Sequence, residues 1–450
     1  MTISTPAEDL QEPLVRRLSA LGLWLLIVNG MIGAGIFGVP AEAARLAGAF
    51  SPWVFAICGL LQLPIMLCFA QLGSYFTGTG GPVLYAQAAF GPLVGFQVGW
   101  CLYVGRLMAF AANLNLLVSS LGYFLGGPVA PGLRVALMLA ICGLLTLLNA
   151  VGARGAIRSL GTITFLKFVP LLALVTVGLF KLPLILREPT PTIPHDLGAA
   201  VLLVIYVYTG FEGGSVAAGE ARNPQRDVPR ALLAALAVCC VLYVLIQAVS
   251  VAALPTLATT PRPLADAAEV LMGPVGALLL TAGVIASVGA NLVGSMFALP
   301  RITYRLALDG HLPRWFGMVH PTYNTPIASI AFYGTAAFLL AATGSFVWLA
   351  GLSVVTRVPL YLCCIGAIPR LKARLGNSPQ ALRLPGGYTV PVLAVIVCVG
   401  LLTQVKALAY WNGAAFLAVG SILYVAARRS KAKTLGDAAI DGRASPLGPR

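Results

Sequence analysis

Long apolar runs separated by short polar segments repeat along the whole chain. With apolar runs of about 17–25 residues as the criterion for a membrane-spanning helix, the pattern predicts twelve spans. Their approximate bounds are 19–47, 52–73, 93–124, 133–151, 160–181, 197–218, 231–253, 274–301, 326–343, 346–368, 389–409 and 411–427. No stretch of domain size, about 50 residues or more, escapes this pattern. The sequence therefore predicts an all-α polytopic membrane protein with 12 transmembrane helices.

Composition supports this class. Of the 450 residues, 59% are hydrophobic and only 10% are charged, with a mean hydropathy of +0.91. Soluble domains carry about 25% charged residues, so the lipid bilayer is the expected environment. The polar start of the chain, residues 1–12, lacks the layout of a cleaved signal peptide. We therefore expect the first span to act as its own insertion signal.

The net charge of +15 reflects orientation in the membrane, and it does not imply nucleic acid. With the N-terminus inside, 20 of the 29 basic residues fall in the inner loops and tails or at the adjoining ends of spans, and six fall in the outer loops or at the adjoining ends of spans. Basic residues concentrate on the cytoplasmic side of membrane proteins. This bias predicts a multi-pass protein of the cell (inner) membrane, with cytoplasmic tails at 1–18 and 428–450.

Two spans carry glycine clusters at their centres. An interior Gly costs a helix about 1 kcal/mol relative to Ala, and unwound backbone inside a membrane is tolerated only where it is buried in protein or lines a cavity. The clusters thus predict two broken helices at a binding site, although close helix packing is an alternative reason for small residues. The first cluster is Gly30, Gly33, Gly35 and Gly38, and the second is Gly210, Gly213 and Gly214, with Glu212 among them.

The two predicted breaks lie five spans apart. An odd number of spans forces the second copy of a repeat to enter from the opposite side, and secondary transporters often combine inverted repeats with paired broken helices. We assign the repeats to 19–181 and 197–368, followed by two further helices at 389–427. Free N–H groups at half-helix ends suit a carboxylate, and free C=O groups suit an ammonium. A zwitterionic amino acid carries both groups.

Four sequence motifs carry a family resemblance. The segment 30–37, GMIGAGIF, resembles the first-helix signature of the amino acid–polyamine–organocation (APC) transporters. The segments 208–230 and 300–313, together with Asn324-Thr-Pro326, are similar to that family's sixth helix with its following loop and to its loop after helix eight. The resemblance implies a LeuT-type 5+5 inverted repeat plus two C-terminal helices, with helices 1 and 6 unwound at mid-membrane.

The same resemblance implies a substrate site made of backbone groups. The N–H groups of Ala34 and Gly35 would take the substrate carboxylate, and carbonyls near Met31, Tyr206 and Thr209 would take its amino group. Arginine/agmatine antiporters of the family often carry Ser where Ala34 stands, so the resemblance implies the backbone contacts here but not the specificity of those antiporters. The expected substrate-binding set is Met31, Ile32, Gly33, Ala34, Gly35, Tyr206, Tyr208, Thr209 and Gly210.

Four ionisable side chains lie well inside predicted spans: Arg106, Lys167, Glu212 and Arg357. Three bases face one acid, and Arg keeps its proton in practice whereas a buried Lys can release it. Lys167 is therefore the predicted proton-coupling residue, and proton-coupled members of the resembling family carry a lysine on helix five in the space that sodium occupies in sodium-coupled relatives. The alternative is that Lys167 snorkels to the interface.

The other polar side chains in the spans keep two interpretations each. Glu212 is a gate or second proton site, or else a structural partner of an arginine. Arg106 either attracts a substrate carboxylate or forms a structural ion pair. The same two interpretations apply to Arg357, for which the structural ion pair is favoured. Asn291 lies between Ser287 and Ser295 on one helix face, which lines a pathway or bonds neighbouring helices.

The sequence thus predicts a secondary active amino acid transporter that works by alternating access, driven by protons and without a sodium site. Open alternatives are an amino acid exchanger or exporter, a polyamine or amine transporter, a transporter-like amino acid sensor and a channel. No catalytic arrangement, metal-ligand spacing or phosphate-binding motif is visible. We expect no enzyme activity, metal or cofactor, and a monomer or homodimer that does not bind nucleic acid.

Overall fold

A computed structural model describes residues 18–152, 166–185, 196–376, 379, 381–384, 386–405 and 407–440. The predicted start of the fifth span at 160–165, nearly all of the N-terminal tail and the last ten residues lie outside the described residues. Among the described residues the fold is helical, and the only strand-like pairing is an isolated bridge between Leu18 and Ala221.

Fifteen α-helices account for most of the described chain. Seven belong to its first part: α1 Ala20–Met31, α2 Gly35–Ala47, α3 Ser51–Tyr75, α4 Pro82–Phe90, α5 Pro92–Leu121, α6 Pro131–Ala150 and α7 Phe168–Ile185. Eight follow: α8 Leu197–Val204, α9 Glu212–Val216, α10 Pro224–Ala253, α11 Pro263–Leu308, α12 Ile327–Thr343, α13 Phe346–Leu375, α14 Thr389–Thr403 and α15 Ala407–Ile440.

Local sequence explains where many of these helices begin. Pro stands in the first turn of α3, α4, α5, α6, α10 and α11, where its missing N–H has no helical partner to lose. Side-chain caps start three others: Ser19 accepts a hydrogen bond from the Gly22 N–H at 3.1 Å, Asp196 from Ala199 at 3.0 Å and Ser345 from Trp348 at 3.3 Å.

By length and composition, seven helical segments of the described chain suffice to cross a membrane. They are Gly35–Tyr75, Pro92–Leu121, Pro131–Ala150, Leu197–Glu220, Pro224–Ala253, Pro263–Leu308 and Phe346–Leu375. Shorter apolar helices add Ala20–Met31, Phe168–Lys181, Ile327–Thr343 and Thr389–Thr403. The protein is therefore an all-helical polytopic membrane protein, whereas the count of twelve spans stays a prediction.

Three helices differ from the predicted spans. The nine-residue helix α4 was not predicted, because it is too short for the spanning criterion. Helix α11 begins at Pro263, and the left-handed conformation of Gly273 (φ 70°) interrupts it just before the predicted start at 274. Helix α15 continues to Ile440, beyond the predicted end of the last span.

The helices that carry polar residues are the most enclosed ones. Helix α5 is the most deeply buried of the candidate spans and packs against α13, α11 and α4, whereas α6 is the least buried. Helix α1 contacts α9, and α2 contacts α8. The two interrupted segments thus run antiparallel, which brings their breaks together.

Candidate functional site

The first break lies between α1 and α2. Helix α1 ends at Met31, and α2 begins at Gly35. The Ile32 N–H still bonds to Val28 O at 2.7 Å, and the Gly33 N–H bonds to Met31 O at 2.9 Å. Among the described residues, no acceptor bonds the N–H groups of Ala34 and Gly35. These two donors begin a helix whose N-terminal end favours negative charge.

The second break lies between α8 and α9. A 3-10 turn, Ile205–Tyr208, follows α8, and Gly210 then adopts a left-handed conformation (φ 103°). The Tyr206 carbonyl accepts two hydrogen bonds from Thr209, one from its N–H at 3.1 Å and one from its hydroxyl at 2.7 Å. This carbonyl is therefore already bonded, which leaves it less available to an ammonium than the sequence suggests.

Glycine lets the two breaks touch. A Cβ atom on Gly30 would lie 2.5 Å from the Gly210 carbonyl oxygen, a distance that real Cβ atoms do not reach. The packing interpretation of the glycines therefore holds at this point of contact. It does not replace the site interpretation, because the same contact brings the broken backbones to one cavity.

A small cavity, with about 30 Å³ open to a water-sized molecule, lies at the two breaks. It brings together seven of the predicted substrate-binding residues, together with Arg106, Asn291, Ser295 and Arg357. Two predicted residues do not line it: Ile32 is buried, and the Tyr208 hydroxyl donates to Phe55 O at 2.8 Å in the helical core. The lining residues are Gly30, Met31, Gly33, Ala34, Gly35, Arg106, Ala109, Asn113, Tyr206, Thr209, Gly210, Asn291, Ser295 and Arg357.

Behind the second break, Arg106, Glu212 and Arg357 form what we call the charged cluster. The Glu212 side chain is fully buried, with Arg357 Nε 3.4 Å from its Oε1 and Arg106 Nη2 4.0 Å from its Oε2. The Gly210 N–H donates to Oε2 at 2.9 Å, and the Tyr361 hydroxyl donates to Oε1. Glu212 thus has both arginines as partners, and its role as a gate or second proton site stays a prediction.

The two arginines differ in exposure and in bonding. The Arg357 side chain is 2% exposed, and its Nη1 donates to the carbonyl of Ser353, at 3.0 Å, and to its hydroxyl. The Arg106 side chain is 18% exposed, and its Nη2 donates to Gly210 O at 3.0 Å. Both arginines line the cavity, but Arg357 is almost fully enclosed by protein groups, whereas Arg106 is the more exposed of the two.

At the first break, Lys167 with its acceptors Asn29 and Ile32 forms what we call the lysine site. Lys167 is 1% exposed, and its Nζ donates to Asn29 Oδ1 at 2.6 Å and to the Ile32 carbonyl at 3.0 Å. Both acceptors are uncharged, and among the described residues no carboxylate lies within ion-pair distance of Nζ. The side chain therefore turns inward onto the break, which does not match the snorkelling alternative.

The polar face of α11 reaches both parts of the site. Ser287 Oγ lies 3.5 Å from Ile32 O, and the Asn291 amide nitrogen lies 3.4 Å from Asn29 O. Asn113 Nδ2 donates to Asn291 Oδ1 at 2.8 Å, and Ser295 lines the cavity. The polar face of α11 thus forms hydrogen bonds to neighbouring elements and also borders the cavity, so the two interpretations given for it are compatible.

Three polar residues of the site were missed by sequence reasoning: Asn29, Asn113 and Tyr361. Each gives a signal in hindsight. Asn29 is a polar residue beside the first glycine cluster, Asn113 lies seven positions after Arg106 on one helix face, and Tyr361 lies four positions after Arg357. Helical spacing from a known charged residue would have found two of them.

An all-helical membrane protein with a polar cavity between two broken helices belongs to the class of membrane transporters. Residues 18–425 match the model of the family described as amino acid permease. The chain therefore belongs to this family of the APC superfamily and is a transporter, not an enzyme.

Several named relatives are similar over most of their length. The methylthioribose transporter of Bacillus subtilis is 26% identical over 93% of this chain and 94% of its own. The branched-chain amino acid permease BcaP of the same organism is 25% identical over 94% and 95%. Its serine/threonine exchanger SteT is 26% identical over 85% and 89%. The substrates in the names of these relatives differ. Membership of the family therefore shows that this chain is a transporter, but it does not identify the substrate.

Proposed function

We propose that the protein is a secondary active, proton-coupled and sodium-independent amino acid transporter of the cell (inner) membrane. The substrate occupies the cavity at the two breaks, and alternating access exposes it to either side. The single observation that carries the proposal is the pair of unbonded N–H groups, Ala34 and Gly35, on the wall of a cavity formed by both breaks. Such a pair suits the carboxylate shared by all amino acids.

Proton coupling rests on the lysine site. An ammonium held by neutral acceptors in a buried place loses its proton more readily than one beside a carboxylate. Its acceptor Ile32 belongs to the same break as the proposed carboxylate donors. Protonation of Lys167 thus acts on the backbone segment that holds substrate, which supplies a physical link between the two.

Reconstitution in liposomes tests transport and coupling together. We expect labelled amino acid to accumulate when the outside is made acidic without sodium, and a proton uncoupler to abolish the accumulation. Lys167→Ala removes the gradient effect while the thermal shift given by bound amino acid persists, because a ligand of the folded state raises its stability. The matched control is Lys181→Ala on α7, the helix that begins directly after Lys167; the Lys181 Nζ bonds Leu271 O, and the residue does not line the cavity.

The outcomes separate the alternatives. Uptake that is equal with and without the gradient would contradict coupling, and uptake that requires preloaded amino acid would show exchange. Amino acid binding without any flux would favour a sensor. Binding of polyamines but not of amino acids would overturn the proposed substrate class.

A further inference from the structure

The cavity wall carries an excess of positive charge. Its only charged lining residues among those described are Arg106 and Arg357, and the one acid in contact with them is Glu212. The charged cluster therefore sums to +1, since guanidinium groups stay protonated in proteins. The other polar lining side chains are neutral amides and hydroxyls.

Glu212 is held more closely by its other partners than by Arg106. Its Oε1 takes the Tyr361 hydroxyl and lies 3.4 Å from Arg357 Nε, and its Oε2 takes the Gly210 N–H at 2.9 Å. Arg106 stands farther away, at 4.0 Å. The close, buried pair is thus Glu212 with Arg357, and the unneutralised charge of the cluster belongs to Arg106.

Arg106 also keeps unused donors toward the cavity. A guanidinium has five N–H donors, and the one hydrogen bond of Arg106 to the described residues runs from Nη2 to Gly210 O at 3.0 Å. Gly213 clears the space for this group, because a Cβ there would lie 2.7 Å from Nη2. The guanidinium is therefore held in place from one side and open on the other.

An uncompensated buried charge is costly, so a ligand that neutralises it gains affinity. The zwitterionic part of an amino acid is neutral and leaves the charge of Arg106 unopposed. A second acidic group would meet a planar donor that binds carboxylates in two-point fashion. A cationic side chain would be repelled by the same guanidinium.

We propose that the cavity selects amino acids with an acidic side chain, the α-carboxylate on Ala34 and Gly35 and the second carboxylate on Arg106. This inference rests on the proposed function and narrows its substrate class. Arg106 is then the residue that determines specificity, and Arg357 with Glu212 is the support that holds Gly210 and Arg106 in position.

The test compares acids with their isosteric amides on the full-length protein in detergent, at constant pH. We expect L-glutamate or L-aspartate to bind at least about tenfold more tightly than L-glutamine or L-asparagine, which corresponds to about 1.4 kcal/mol. Thermal shift and equilibrium binding of the labelled acid both report this ratio. L-arginine and L-lysine should give no shift.

Two variants identify the responsible residue. Arg106→Gln should lower the affinity for the acid about tenfold or more and abolish the preference over the amide. Arg134→Gln is the control, since that arginine bonds Ser119 and Asn115 away from the cavity. If Arg106→Gln does not fold, the comparison of acid with amide in the natural protein still tests whether the cavity prefers an acidic side chain.

Neutral amino acids that bind as tightly as the acids would overturn this inference and leave the proposed function standing. Binding of a sugar or amine, with no amino acid bound, would instead overturn the proposed function. An unchanged preference for the acid in Arg106→Gln would remove Arg106 from the role assigned to it.

Discussion

The charged cluster and the lysine site hold buried charge in opposite ways. In the charged cluster, Glu212 lies against two guanidiniums that keep their protons, with further hydrogen bonds from Gly210 and Tyr361. In the lysine site, one ammonium has two neutral acceptors, Asn29 and Ile32. The first arrangement pairs opposite charges, whereas the second holds its one charge on neutral groups alone.

Under the proposed function the two regions have different roles, although in the sequence each contributes a basic residue inside an apolar span. A permanent charge can select a substrate but cannot carry a proton. A lysine without an acidic partner can do so, because deprotonation leaves no carboxylate unpaired. Substitutions in the two regions test this contrast.

The largest loss of stability is expected from Glu212→Gln. It leaves Arg357 buried beside a neutral amide, and breaking a buried ion pair from one side costs about 3–5 kcal/mol. Thermal or denaturant unfolding in detergent measures the free energy of unfolding. Glu42→Gln is the control, because its partner Arg45 is 56% exposed and exposed pairs contribute about 0–1 kcal/mol. Equal losses in the two variants would show that the cluster is not a tightly held pair.

Asn29→Asp converts the lysine site into a pair of opposite charges, as in the charged cluster. A carboxylate in place of the amide acceptor stabilises the ammonium form of Lys167. We expect the acceleration of uptake by an acidic outside to disappear while amino acid binding is retained. Liposome uptake with and without the gradient measures this.

Asn29→Ala separates charge from packing at the same position. It removes the acceptor without adding a charge, and Lys167 keeps its bond to Ile32. The gradient response should therefore persist. If both substitutions abolish the response, Asn29 acts through structure and the contrast between the two regions fails.

The smallest effect is expected from Ser287→Ala. Ser287 Oγ lies 3.5 Å from Ile32 O, at the limit of a hydrogen bond, so the free energy of unfolding should change by less than about 1 kcal/mol. Its counterpart Ser353→Ala removes a 2.8 Å bond to Gly105 O and an acceptor of Arg357, and should cost about 1.5–3 kcal/mol. A reversed order in unfolding measurements would contradict the tighter bonding of the charged cluster.

Much of the architecture follows from local sequence patterns. Apolar runs predicted helices across the described chain, and the chain leaves the helix at 32–34 and near 210, within the two glycine clusters. The four ionisable residues inside spans were also visible, because each stands out against apolar neighbours. The short helix α4 was not predicted from the sequence, since nine residues carry too weak a periodic signal.

Side-chain direction at the breaks does not follow from those patterns. Tyr208 precedes Thr209 directly, yet only Thr209 lines the cavity, because the 3-10 turn sends the Tyr208 hydroxyl to Phe55. The partners of Lys167 are Asn29 and Ile32, more than 130 positions away in the chain. Nothing in the residues around Lys167 specifies that pairing.

The sequence by itself determined most of the helical segments, where two of them break and which charges enter the apolar interior. These are properties of contiguous residues, set by hydrophobicity and by the conformational freedom of glycine. Only the tertiary structure decided that Glu212 pairs with Arg357, that Arg106 faces the cavity and that Lys167 rests on neutral acceptors. Those assignments depend on how antiparallel broken helices pack, since packing alone brings distant positions within a few ångströms.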